Sequence, residues 1–454
     1  MSALWLPRPG LWLPGRRGAR GAPVPVVAPR RVVGSRRAAG RLARLVDGHP
    51  GMRATSAHTC ALGLFDAVGS LGARGVPVGD LLSGGGLFVY DAFEIYPDVV
   101  TDPNMCVFGL VGQWKSSLIK VYLARQFVFG RHMRVIDIKG EYTLLARFLG
   151  GSVIRLSKGG GVCLNPLSSP GDRHELLRAI ARAVLPRELA DVEPALLNVA
   201  LDQVARATGE PTLPAVIDAL FHPTAEMADA VATTPARFAR EARPVAMALQ
   251  PLIAGELKGM FDGPTTPGLD FGAQLVVLDL SEMINSASLG ILMSCAGAFM
   301  QAQVDRQRAA CAAAGEPEPK TILVLDEAWI TFAVPGIGEW LCSQFKLARK
   351  IGQQNIAVMH RFSDLEAAGE DGSRMVKLAK GLIEDCQTFV VFRLKGDELK
   401  DAARILSLSD TERERISRLH PGQALWRVGQ QRFLVQTAVS SIDLPLTYTD
   451  ENMS

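Results

Sequence analysis

Two glycines, a lysine and a serine at fixed spacing form a pattern able to hold phosphate. They stand in Gly109-Leu-Val-Gly112-Gln113-Trp114-Lys115-Ser116-Ser117. In the pattern G-x-x-x-x-G-K-[ST], backbone N–H groups wrap the phosphate chain, and the second glycine lets the backbone pass close beneath it. That second glycine is Trp114 here. On this reading Gly109, Gly112, Gln113, Trp114, Lys115, Ser116 and Ser117 line a bound ATP. Lys115 lies on its β- and γ-phosphates, and the Ser116 hydroxyl is a ligand to Mg²⁺. A second constellation follows in Thr321-Ile-Leu-Val-Leu325-Asp326-Glu327-Ala-Trp329. Asp326 would order the Mg²⁺ and its waters, and Glu327 would polarise the water that attacks the γ-phosphate. Alone, this run also fits a strand that stops at a solvated acidic turn.

Both constellations need a strand that delivers them. Met105 to Leu110 reads as a short buried strand, and the apolar spacing from Ser116 to Val128 predicts a helix whose positive dipole end faces the phosphates. Thr321 to Leu325 reads as a buried parallel strand opening into a site at its carboxyl end. Further strands are expected at Met133–Ile138, Gln274–Leu280, Asn355–Met359 and Thr388–Leu394. A hairpin around Gly429-Gln430 is expected to join Gln423–Val428 to Arg432–Thr437. Strands alternating with helices imply an α/β fold with a mostly parallel sheet. Between residues 172 and 259 the pattern becomes Ala- and Leu-rich, broken by prolines, and predicts an all-helical insertion of four to six helices.

Composition narrows the class. The chain has 454 residues, 48% hydrophobic and 21% charged, as a large globular protein does. Its seven cysteines are scattered without a C-x-x-C and predict reduced thiols in a cytosolic protein, and its seven histidines show no ligand spacing, so no zinc is expected. The net charge of +3 divides unevenly: residues 1–50 hold ten arginines, no lysine and one acid, giving +9 there and −6 elsewhere. A mildly acidic body argues against a broad nucleic-acid-binding surface, though a basic pore loop would not show in the total. The Arg- and Pro-rich segment 1–53 reads as a disordered tail. Met283 to Val304 lacks charge over a length that could cross ~30 Å of hydrocarbon, but its Asn, Ser and Gln residues favour a helix packed on the sheet.

Six motifs in order carry a family resemblance. They are Pro103-Asn104-Met105, Asp137-Ile-Lys-Gly-Glu141-Tyr142, Asn165-Pro166-Leu167, Met260-Phe-Asp-Gly-Pro264, Leu325-Asp326-Glu327-Ala-Trp329 and His360-Arg361-Phe-Ser-Asp364-Leu365. Over residues 54–454 the chain resembles the VirB-type ATPases of conjugation and type IV secretion found in actinobacteria, within the FtsK/HerA group of P-loop NTPases. The resemblance implies a RecA-like ATPase domain in two parts, 54–171 and 260–454, around the insertion 172–259. It also implies a homo-hexamer that hydrolyses ATP at subunit interfaces to translocate DNA or protein. Its partners would be the membrane components of the apparatus and DNA, and its place the cytoplasm, against the inner face of the membrane. His360 would match a polar residue that senses the γ-phosphate, and Arg349 or Arg361 would match an arginine reaching a neighbouring subunit's nucleotide. Asp137 and Glu141 match a motif whose chemistry the residues do not give.

Trp114 is the departure. An indole at a residue with positive φ costs about 1–2 kcal/mol of backbone strain. If it points away from the phosphates, an ATPase survives; if it fills their cradle, the chain is a catalytically impaired scaffold subunit of the ring.

Overall fold

Short apolar runs interrupted by amphipathic stretches assemble into one eleven-stranded sheet. The computed structural model describes residues 69–168, 173–185, 187–284, 286, 288–328, 330, 337–360 and 381–447. Its strands are β1 (Val76–Leu81), β2 (Leu87–Tyr90), β3 (Met105–Phe108), β4 (His132–Asp137), β5 (Ser152–Arg155), β6 (Leu275–Asp279), β7 (Thr321–Leu325), β8 (Gln353–Met359), β9 (Thr388–Val391), β10 (Gln423–Val428) and β11 (Gln431–Thr437). Their spatial order is β2-β1-β11-β10-β9-β3-β8-β7-β4-β6-β5. From β9 to β5 every neighbour is parallel, whereas β10, β11, β1 and β2 add an antiparallel wing.

The parallel strands are apolar throughout because both faces are covered. On one face Val107, Val135, Val277, Val324 and Val358 pack with Leu118, Ile119 and Tyr122 of helix α1 (Lys115–Val128). On the other face Phe108, Ile136, Leu278 and Leu325 join a core shared with the helical segment. That segment holds α3 (Arg173–Val184), α4 (Glu193–Thr208), α5 (Leu213–Phe221), α6 (Ala225–Ala230) and α7 (Pro235–Leu249), between β5 and β6. A short α2 (Thr143–Phe148) precedes β5, and α8 (Leu289–Ala314) and α9 (Ile337–Ile351) flank β7. Beyond β9 come α10 (Gly396–Leu406), α11 (Asp410–Arg418) and, last, α12 (Leu444–Thr447). The uncharged stretch after Met283 enters α8, whose Leu292, Cys295 and Phe299 are buried in the same core. Among the described residues no helix is long and apolar enough to cross a membrane.

Three strands escaped the sequence reading. β1 contains Pro77 and Gly79, which ordinarily argue against a strand interior, and β2 and β5 are four-residue strands at the two edges. Gly79 is required by packing: a Cβ there would lie 2.0 Å from the Gln436 carbonyl oxygen, so only glycine allows β1 to pair with β11.

Beneath the parallel block, Asn104 ties three elements together. Its Nδ2 donates to the carbonyls of Phe345 in α9 (2.8 Å) and Asp385 before β9 (3.2 Å), and its Oδ1 accepts from Asn355 Nδ2 in β8 at 2.9 Å. The side chain is fully buried, so every lost partner becomes an unsatisfied polar group. Asn104→Ala is expected to lower the unfolding free energy by about 2–3 kcal/mol in urea titration. A loss under about 0.5 kcal/mol would show that this network carries no stability.

Candidate nucleotide site

Four parallel strands that adjoin in the sheet, β3, β8, β7 and β4, end at one edge, and each is followed by a polar or charged residue of the candidate site. β3 leads into the glycine loop, β8 into His360, β7 into Asp326 and Glu327, and β4 into the turn beginning at Asp137. Parallel α/β sheets bind ligands at such carboxyl ends.

The loop itself depends on two glycines. A Cβ on Gly109 would meet Phe392 Cβ at 2.6 Å, because Phe392 continues β9 beside β3 and its N–H donates to the Phe108 carbonyl. Gly112 has φ 75, a conformation that glycine adopts without strain. Trp114 follows with φ 72 and ψ 28 as the N-cap of α1, and its side chain makes no cap hydrogen bond to the helix's first N–H groups. Those N–H groups are left available to an anion. The six-membered ring of the indole rests near Gly422, where an added Cβ would meet Trp114 Cε3 at 3.0 Å, and the side chain is 42% exposed. The indole therefore leans toward the start of β10. Gln113 offers its carbonyl to Gly422 N–H at 3.4 Å, and Ser117 Oγ donates to the Thr447 carbonyl at 3.3 Å. Ser116 lies half-buried in the first turn of α1.

Lys115 is buried, and its ammonium is held by the loop it belongs to. It donates to the carbonyls of Gly109 (2.7 Å) and Leu110 (3.0 Å), and lies 2.9 Å from His360 Nδ1. His360 Nε2 in turn is 2.5 Å from Glu327 Oε1. A neutral imidazole that accepts from Lys115 and donates from Nε2 to Glu327 satisfies both contacts. Glu327 has φ 56, a strained conformation for a residue with a side chain, and is 5% exposed. Burial would raise its pKa, but bonds from His360 and Lys139 outweigh this and hold the carboxyl down at about 2.

Lys139 was absent from the residues singled out in the sequence, yet its Nζ is ion-paired with Glu327 and lies 3.3 Å from His360 Nε2. The turn that presents it is built by Asp137. One carboxylate oxygen of Asp137 accepts from Lys139 N (3.1 Å) and Gly140 N (2.8 Å), the other from Tyr142 N (2.8 Å). Asp137 thus shapes the backbone. A second cation that the sequence reading did not mark, Lys120 of α1, is buried with its ammonium 3.6 Å from Glu141 and 5.6 Å from the centre of the Tyr142 ring. The signal for Lys139 was available in Asp137-Ile-Lys139-Gly-Glu141, a charged turn directly after a strand; Lys120, on an apolar helix, gave none.

Asp326 stands apart from these pairs. It is 1% exposed, its Oδ1 accepts from Glu327 N, and its buried Oδ2 has no hydrogen-bond partner among the described residues. Burial, then the charges of Glu141 and Glu327, push its pKa up to about 7. An orphaned, reluctantly ionised carboxylate oxygen near the start of α1 suits a divalent cation. Mg²⁺ takes few protein ligands beside phosphate oxygens and water, and Asp326 with Ser116 would suffice.

Arg349 precedes β8 and so lies at the opposite end of that strand from His360, where its charge acts on Asp102. Arg361 falls outside the described residues.

A carboxyl whose pKa rises on folding gives stability that is complete below its unfolded pKa and is lost as pH climbs through the folded value. For Asp326 that window runs from about 4 to about 7. In metal-free and nucleotide-free protein, Asp326→Asn should therefore raise the melting temperature at pH 8 by about 2–4 °C, and by less at pH 5. A lower melting temperature at pH 8 would mean that the ionised form is already satisfied.

No family model matches this chain, and no curated protein does. Solved structures do resemble it. VirB4 of Thermoanaerobacter pseudethanolicus superposes with a TM-score of 0.65 at 20% identity, covering 83% of this chain and all of that one. The bacterial conjugative coupling protein TrwB in an unbound form gives 0.56 at 15% identity, covering 82% of this chain and 94% of that one. TrwB in complex with ADP and Mg²⁺ gives 0.54 at 16%, covering 82% and 96%. At these identities the likeness is one of fold, and the chain has the α/β fold with a large, mostly parallel sheet that VirB4 and TrwB share.

Proposed function

We infer that the chain is an ATP-hydrolysing motor subunit of a conjugative or type IV secretion apparatus. The observation that carries this reading is the linked set Lys115–His360–Glu327 at the carboxyl ends of β3, β8 and β7, with Asp326 beside it. The likeness of fold to VirB4 and to TrwB, crystallised with ADP and Mg²⁺, supports it.

In this reading Lys115 leaves the carbonyls of Gly109 and Leu110 to bind the β- and γ-phosphates, and the free N–H groups at the start of α1 complete the cradle. Asp326 and Ser116 would hold Mg²⁺, which would supply charge neutralisation on the phosphates. Glu327 orients the attacking water and accepts its proton, and His360 keeps Glu327 in place while sensing Lys115. Arg349 or Arg361 serves a neighbouring subunit's nucleotide in a homo-hexamer docked at the cytoplasmic face of a membrane complex, moving DNA or protein. Residues 54–171 and 260–454 form the motor domain, and the helices of 172–259 are its insertion.

The position of Trp114 bears on the competing reading, a scaffold subunit that no longer turns over. An indole leaning on Gly422 leaves the space under the phosphates to the backbone, which favours an active site. Its positive φ favours the scaffold, since strain in the loop opposes its closing on phosphate.

Measurement of Mg·ATP affinity and steady-state turnover separates them. Lys115→Ala should weaken Mg·ATP binding by at least ~10-fold through loss of a charge-assisted contact. Glu327→Gln should bind normally while turnover falls by about 10²–10⁴-fold. Trp114→Gly should stay within about 0.5 kcal/mol of wild type in transition-state stabilisation. Turnover by the glycine form alone would hand the argument to the scaffold reading. Absence of Mg·ATP binding by both forms would end the motor reading. Stimulation of turnover by single- or double-stranded DNA would identify the cargo as nucleic acid.

A further inference from the structure

Glu327 is poorly placed to act on water in the arrangement described, because its carboxylate is held by Lys139 and by His360. Both contacts fall on one oxygen, Oε1, which is thereby occupied, and the ammonium against it makes the carboxylate a weaker base. Drawing Lys139 away would return that oxygen and its basicity to Glu327.

The two donors differ in their freedom. His360 is fixed from behind by Lys115 at 2.9 Å and follows directly on β8. Lys139 sits on a turn whose backbone is locked by three bonds to Asp137, but its side chain keeps 31% of its surface exposed, against 6% for Glu327. Its four-carbon stem can swing while the backbone and Glu327 stay in place. Lys139 and Lys115 also flank the same imidazole, with ammonium groups 3.3 Å from Nε2 and 2.9 Å from Nδ1. A phosphate chain gripped by Lys115 therefore brings its far end within reach of Lys139. The competing charges around Lys139 are Glu327, Asp326 and Glu141, and of these Glu327 is its bonded partner.

We propose that Lys139 is a positioning residue that exchanges Glu327 for the terminal phosphate of a bound nucleoside triphosphate, freeing Glu327 for water only when that phosphate is present. The idea rests on the nucleotide reading of the site given above. A diphosphate lacks the group that would attract Lys139, so after hydrolysis the lysine returns to Glu327 and the base is again occupied. Lys139 would thus act both in recognising the triphosphate and in blocking the base without it.

The test uses the full chain and compares the affinity for ADP with that for a non-hydrolysable ATP analogue, each with Mg²⁺, in wild type, Lys139→Met and Lys139→Arg. Lys139→Met should keep ADP affinity within about 3-fold and lose at least ~10-fold for the analogue, as expected when one charge-assisted contact to the last phosphate is removed. Lys139→Arg should recover most of that preference, since it keeps the charge on a reaching side chain. A merely structural lysine would weaken both nucleotides alike. Equal losses, or no loss for the analogue, would overturn the switch and leave the nucleotide site standing. If Lys139→Met bound neither nucleotide, the arginine form would decide: a retained triphosphate preference supports the switch, and equal weakening of both nucleotides overturns it. Failure of the wild-type chain to bind either nucleotide would overturn the nucleotide reading and the switch with it.

Discussion

Burying ammonium groups at the end of a parallel sheet is possible only if carboxylates arrive from neighbouring strands, and this requirement organises the molecule. Lys115 and Lys120 are on one helix, Lys139 on a turn, and the acids that balance them come from β7 and the turn after β4. In a medium of low dielectric an unmatched charge costs several kcal/mol, whereas a matched and hydrogen-bonded one is tolerated. The order β3-β8-β7-β4 brings the two sets together. Burial pulls the Lys115 ammonium down to about 8 and pushes Asp326 up to about 7, so each charge is held at a cost, and among the described residues Asp326 Oδ2 is left without a hydrogen-bond partner.

The scaffold around this edge divides its labour. The parallel block supplies strand ends, and its two apolar faces fix them between α1 on one side and the helical segment on the other. The antiparallel wing reaches the loop from the side: Gly422, just before β10, touches Trp114 and bonds to Gln113, while Thr447 in α12 bonds to Ser117. The phosphate loop is therefore braced by the C-terminal part of the chain as well as by its own strand and helix.

Much of this was legible in the residues. Eight strands with unbroken apolar runs or clear alternation, two of them forming the hairpin at Gly429, and the helical character of the segment before β6 were all read from pattern. Lys115, Asp326, Glu327 and His360, named from three separated stretches of sequence, meet in space. What was not legible has physical reasons. β1 carries Pro77 and Gly79, and its strand geometry depends on the Gln436 backbone, which is distant in sequence. Lys139 and Lys120 acquire their importance from partners on other elements, and a lone lysine in a sequence looks like a solvated one. Asp137 matched a motif whose chemistry the residues did not give, and its bonds to Lys139, Gly140 and Tyr142 make it a turn former.

The two carbonyls that hold Lys115, those of Gly109 and Leu110, have a consequence for timing. A ligand that recruits this lysine must displace bonds the loop already makes to itself, so entry is opposed by a local spring. The same spring acts when the ligand is spent. On the proposed nucleotide reading, once the last phosphate was gone, recapture of the ammonium by its own loop would compete with the remaining diphosphate, and the site would help to expel what it had used.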